Sequence, residues 1–289
     1  MSVIHIKAGS TLDAKFLGAA WESLAADSQY KSSRNAVAKN DVLNVVENRQ
    51  VVSDLNHIYS NQISKEGKCT TQKSSGRCWM FAMCNVMRND MIKKYNLSDD
   101  FELSQGYLFY YDKLERGNFF LESIIETLNE DASSRLVTHL CSDPLCDGGQ
   151  WDMLVNLVQK YGMVPKSVFP ETKCCVASRR MNQFLKNKLR EFACKLRADF
   201  QNKSATMEEL RVTKLGMMTE YHKILGIFFG QPPDTFTWSF RDTKKNFIQY
   251  QNLTPKSFYE THVDCKADKY VSLIHDPRNP YYKHYTVAH

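Results

Sequence analysis

The segment Gln72-Lys73-Ser74-Ser75-Gly76-Arg77-Cys78-Trp79 combines residue types that can perform nucleophilic catalysis. A glycine-bearing loop delivers a cysteine to the first turn of a helix. There the unpaired backbone N–H groups and the positive end of the helix dipole favour a thiolate over a thiol. Gln72 stands six residues before Cys78, far enough for the loop to fold back and bring its side-chain amide beside the sulfur. An amide in that place can donate to a developing oxyanion. The same residues are also compatible with a buried cysteine that starts a helix and does nothing else.

The elements that must position these groups can be read around them. Ser64 to Gly76 has loop composition. Cys78 to Tyr95 contains strong helix formers without Gly or Pro. Its first half is apolar nearly all round, which predicts a helix running through the centre of a domain, and it ends in a charged tail at Arg88, Asp90, Lys93 and Lys94. Ser104 to Leu114 reads as a second helix capped by Ser104, with a break expected near Gly117. Gly148 and Gly149, taken by themselves, read as a turn. Trp151, Leu154, Val155 and Val158 then follow one helical face, which Gly162 and Pro165 close.

Ser178 to about Phe229 reads as two or three helices. Met181, Phe184, Leu185 and Leu189 are expected on one face, with Lys186, Lys188, Arg190 and Lys195 largely solvated. Thr235 to Tyr250 alternates aromatic and polar residues as a hairpin does. Thr11 to Ile63 reads as a helical arm, with Phe16, Leu17, Trp21 and Leu24 in its first stretch.

The run Gln72 to Trp79 resembles the nucleophile loop of the papain-like cysteine peptidases, and in particular their cytosolic branch of bleomycin hydrolases and bacterial aminopeptidases C. The resemblance continues through Asn85 to Arg88, Leu103 to Tyr111, Asp147 to Asp152, Tyr161-Gly162 with Val164-Pro165, Phe169 to Glu171, and Pro233 to Trp238. It implies an α+β, papain-like fold: a helical half-domain with a helical insert, and a β-rich half largely missing. Residues 1–65 would form the amino-terminal arm, 66–177 the helical half-domain with the nucleophile, and 178–289 the insert and the start of the second half.

In that family Cys78 would be the nucleophile, and Gln72 the oxyanion donor helped by the Cys78 N–H. Gly148 and Gly149 would present backbone groups to an extended substrate, an approach that the missing Cβ permits. The implied activity is that of a cysteine aminopeptidase acting on peptides through a thiol acyl-enzyme, without metal or cofactor, in a homohexamer.

Two departures stand out. Secreted relatives carry a cysteine three residues before the nucleophile, where this chain has Ser75, so Cys146 lacks the partner that the pattern would give it. The family also places a histidine and an Asn-Ser-Trp asparagine far downstream to serve the thiolate. No Asn-Ser-Trp occurs here, and His222, His262, His275, His284 and His289 all lie outside the family's histidine context. The chain therefore reads as the front part of such an enzyme, from a fragment, a splice form or a truncated gene model.

Composition narrows the classes. In 289 residues, 38 Lys and Arg against 32 Asp and Glu leave a net charge of +6, scattered along the chain, which gives little support to nucleic-acid binding. The amino terminus lacks a secretory apolar stretch, and no apolar run reaches the length of a membrane span. Nine cysteines without a disulfide framework fit free thiols and a cytoplasmic location. Cys174-Cys175 and the group His139, Cys141 and Cys146 lack the paired spacing of a zinc site. Two other functional classes compete: a non-catalytic oligomerisation or nucleic-acid-binding module derived from the peptidase, and a thiol-redox protein, for which the chain lacks Cys-x-x-Cys.

Overall fold

Asp13, Asp27, Asp41 and Asn48 each accept a hydrogen bond from a backbone N–H two or three residues ahead, and each thereby starts a helix. These are α1 (Ala14–Ala26), α2 (Ser28–Lys39), α3 (Val42–Val46) and α4 (Arg49–Asp54). The computed structural model describes residues 12–266, 269–270, 273–283 and 285, except for the side chain of Lys203. It divides into a unit ending at Gln62, which holds these four helices, and a unit beginning at Ile63. None of the four helices has a buried residue.

The second unit is built around α5 (Cys78–Lys94) and α6 (Gln105–Glu126). As its apolar first half predicts, α5 buries Met80, Met83, Cys84 and Met87 completely or nearly so. Ser104 Oγ accepts from the Tyr107 N–H and caps α6. This helix does not break at Gly117 but continues to Glu126. Gly117 answers a packing need there. A Cβ on it would lie 2.7 Å from a ring carbon of Tyr221, so the missing side chain admits that ring against the helix.

Around this pair come α7 (Arg135–Ser142), α8 (Trp151–Tyr161) and the short α9 (Lys173–Val176), then α10 (Arg179–Lys203) and α11 (Met207–Phe229). Gly162, at φ 75°, terminates α8 with its N–H on the Val158 carbonyl. A reciprocal Thr206–Glu209 capping box opens α11. Leu185, Leu189 and Leu196 of α10, with Leu210, Tyr221 and Leu225 of α11, are fully buried, and both helices pack on α6.

Two expectations for α10 need correction. Phe184 is 52% exposed and meets Phe228 edge-on at its rim. The basic residues are engaged, except for the exposed Lys195: Lys186 pairs with Asp143, Lys188 with Glu191 and Glu220, and Arg190 donates to the Cys141 and Ser142 carbonyls.

The hairpin expected near the end is present as β1 (Phe236–Arg241) and β2 (Phe247–Leu253), paired antiparallel from Phe236↔Leu253 to Arg241↔Phe247. Among the described residues they form the only sheet. Trp238 is buried between the hairpin and α12 (Pro255–His262), with Tyr95, Tyr250, Phe258 and His262 around its ring. Among the described residues no helix is long and apolar enough to cross a membrane.

Candidate active site

Cys78 is the first residue of α5 and is exposed. Its helix has no side-chain cap, and the first turn closes with the Phe81 N–H on the Arg77 carbonyl at 3.0 Å. The N–H groups ahead of Phe81 thus lie at the free end of the dipole.

The loop below is tied down from several sides. Arg77 is fully buried. Its Nη1 donates to Glu171 Oε1 at 2.7 Å, and Nη2 lies 2.7 Å from Oε2. Its guanidinium sits over the rings of Phe81 and Phe109. Arg77 Nε donates to Ser75 Oγ at 2.8 Å, and Ser75 Oγ donates to the Gln72 carbonyl at 2.7 Å. Ser75, which stands where secreted relatives have a cysteine, therefore links the buried guanidinium to the backbone of Gln72. Lys73 takes a left-handed φ of 53° at the bend, and Ser74 exchanges backbone hydrogen bonds with Val176 and Ser178. Gln72 is left half-buried.

Asp147 joins this loop to the glycine pair. Its carboxylate accepts from Lys113 Nζ at 2.5 Å, Ser178 Oγ at 2.6 Å, Asn182 Nδ2 at 2.7 Å and the Gly76 N–H at 3.4 Å. Its backbone carbonyl accepts from Trp79 Nε1 at 2.8 Å. Burial works to raise this carboxyl, but the Lys113 ammonium and the three hydrogen-bonding side chains outweigh it and hold it down at about 2. Close contacts explain two glycines. A Cβ on Gly76 would lie 2.6 Å from the Asp147 Cβ, and one on Gly149 would lie 2.6 Å from the Trp79 ring. Gly148 differs: it has open space around it, and its carbonyl accepts from Arg116 Nη2.

The other cysteines separate by burial. Cys84, fully buried with Glu102 nearby, is pushed up to about 12, and burial also raises Cys141, Cys175 and Cys265. The exposed thiols are Cys69, Cys78, Cys146 and Cys194. Cys146 Sγ faces Arg116 Nη1 at 2.9 Å.

The histidines lie elsewhere. His222 is exposed on α11 with its ring against Tyr110. His262 is buried in the Trp238 cluster, where Tyr95 OH lies 2.8 Å from its Nδ1 and burial pushes its imidazole below the ordinary value. His275 stacks on Tyr281, and His284 and His289 lie outside the described residues. Among the described residues, no three His, Cys, Asp or Glu side chains gather as metal ligands would.

Sequence reasoning singled out Gln72, Cys78 and the glycine pair, and it missed Lys113, Arg116, Asp147 and Glu171. One signal was available for Lys113: a charged residue inside the apolar run of α6 is buried only where it finds a partner.

The profile of the Peptidase C1-like family matches residues 11–289. Bleomycin hydrolase of Rattus norvegicus is 41% identical over 283 residues, covering 96% of this chain and 62% of the relative. Aminopeptidase C of Streptococcus thermophilus is 40% identical over 264 residues, covering 91% of this chain and 59% of the relative. The crystal structure of PepW from Lactobacillus rhamnosis HN001 matches with a TM-score of 0.83 at 36% identity, over 90% of this chain and 57% of that one. The chain thus spans about three fifths of the length of these relatives.

Proposed function

The chain belongs to the Peptidase C1-like family, and from that premise we propose that Cys78 is the nucleophile of a cysteine aminopeptidase, removing amino-terminal residues from peptides. Cys78 Sγ attacks the scissile carbonyl and forms a C–S bond, while the carbonyl oxygen becomes an oxyanion that takes hydrogen bonds from the Gln72 amide and the Cys78 N–H. The intermediate collapses to a thioester as the amine leaves with a proton. Water then releases the acid and restores the thiol.

The observation that carries this reading is an exposed cysteine at an uncapped helix start, above a loop fixed by a fully buried arginine. A cysteine that only filled space would need neither. Gly149 suits the pairing role because, among the described residues, its N–H and C=O make no hydrogen bond. The proton for the leaving amine is not assigned to His222, His262 or His275, which lie against Tyr110, Tyr95 and Tyr281. In this reading residues 66–177 form the half-domain that carries the nucleophile, and 178–289 begin with the α10–α11 insert. Work in the cytoplasm suits nine cysteines that are all free, and assembly as a homo-oligomer is carried by the family resemblance alone.

Limiting iodoacetamide followed by peptide mass spectrometry tests the assignment. Cys78 is expected to label first of the nine cysteines, ahead of the other exposed thiols Cys69, Cys146 and Cys194. First labelling at any of those three would overturn it.

A further inference from the structure

We propose that Asp112, Lys113 and Arg116, from one turn of α6, are positioning residues that set the backbone of Cys146-Asp147-Gly148 and thereby fix how Gly149 meets an extended peptide. The inference rests on the reading of Gly148 and Gly149 as the strand that pairs with substrate.

Three successive residues of the loop are each held from α6. Lys113 Nζ donates to the Cys146 carbonyl at 2.8 Å and to Asp147 Oδ1 at 2.5 Å. Arg116 Nη2 donates to the Gly148 carbonyl. The holders are themselves held, because Arg116 Nε donates to both Asp112 oxygens, at 2.8 and 2.9 Å. The side chains of Asp112 and Lys113 are 2% and 0% exposed and lie 4.0 Å apart. Four charges, Arg116, Asp112, Lys113 and Asp147, thus alternate in sign from one end of the array to the other. Charges this deeply buried persist only when paired, so each fixes the place of the next.

Gly148 makes such a device necessary. With no Cβ and no neighbour within 4 Å of where one would stand, sterics leave its peptide planes free to rotate. The loop carries no regular secondary structure between α7 and α8, so no strand partner restrains it. The hydrogen bond from Arg116 to its carbonyl does so, and it fixes the plane next to Gly149. Pairing with an extended peptide demands N–H···O distances of about 2.7–3.2 Å, and a rotated plane would lose them.

Two reagents applied to the full chain separate this role from others. Iodoacetamide reads only the thiol, whereas glycyl-phenylalanine chloromethyl ketone also needs the backbone pairing. Each forms a bond to Cys78 Sγ and expels halide. Arg116→Met keeps the apolar stem, and the double variant Asp112→Asn with Arg116→Met avoids leaving a buried unpaired carboxylate. Both are expected to slow the chloromethyl ketone about tenfold or more, the effect of losing one hydrogen bond to a charged group. Iodoacetamide labelling of Cys78 stays within about twofold of the parent rate on the same reasoning. Arg116→Lys recovers part of the loss.

An unchanged chloromethyl ketone rate in both Met variants overturns the proposal. A fall in both rates together with a lower melting temperature also overturns it, because the array would then only support the fold. If the parent chain shows no preference for the peptidyl reagent at Cys78 over the other exposed cysteines, the pairing reading itself fails and this inference with it.

Discussion

Asp147 is held by donors from two helices, one of them through its N-cap Ser178 as well, and from one loop, 31 to 71 residues away in the chain. Its carboxyl sits at about 2, below the ordinary 3.8, so in acid the unfolded chain takes up the proton before the folded one does. The stability this contributes is complete above about pH 4 and is lost as the pH falls through 2, an effect of about 2 kcal/mol. Asp147→Asn is therefore expected to lower the urea midpoint at neutral pH and to flatten the acid limb between pH 4 and 2; an acid limb identical to the parent's contradicts this. Asp112 works in the opposite sense. Burial raises its carboxyl to about 6, so protonation between pH 6 and its ordinary value favours the folded state. At this scale the sequence revealed what is local, Cys78 at its helix start and Gln72 six residues before it. It could not reveal Arg77–Glu171 or Lys113–Asp147, whose partners meet only through the fold.

Among the elements, α5, α8 and the hairpin were legible because their patterns refer to their own neighbours: an all-apolar run, a 3.6-residue period closed by Gly162, and aromatic alternation. The α6 helix was legible only to Leu114, because Gly117 is explained by Tyr221, about a hundred positions later. Phe184 misled for a related reason: periodicity marks a face, but Phe184 lies at its edge against Phe228. Two glycine substitutions separate helix propensity from packing. Gly117→Ala gains up to about 1 kcal/mol of propensity, but its methyl group would meet a buried tyrosine ring at 2.7 Å, so it is expected to destabilise by about 1–3 kcal/mol. Gly216→Ala, in α11 with nothing within 4 Å, is expected to stabilise by up to about 1 kcal/mol. Melting curves read both, and equal signs would contradict the account of α6.

At the scale of the molecule, the helix-rich, papain-like fold expected from the motifs agrees with the PepW match over 90% of the chain. Loops tied together by Asp147 carry the proposed nucleophile Cys78, the proposed donor Gln72 and the glycine pair, while the described histidines are engaged or exposed elsewhere. That division makes a chemical prediction for these 289 residues taken by themselves. An amide needs a proton delivered to its leaving amine, assistance typically worth about 10²–10⁴ in rate, so aminoacyl anilides are expected to turn over little or not at all. An alanine p-nitrophenyl ester has a leaving group that departs as a stable anion and needs no such acid. The most direct test of Cys78 as nucleophile is thus to mix the chain with that ester, quench in acid, and locate the acyl group by intact and peptide mass spectrometry. One alanyl thioester on Cys78, absent from Cys78→Ser, is the predicted result; acylation at another cysteine, or an adduct that survives Cys78→Ser, would contradict it.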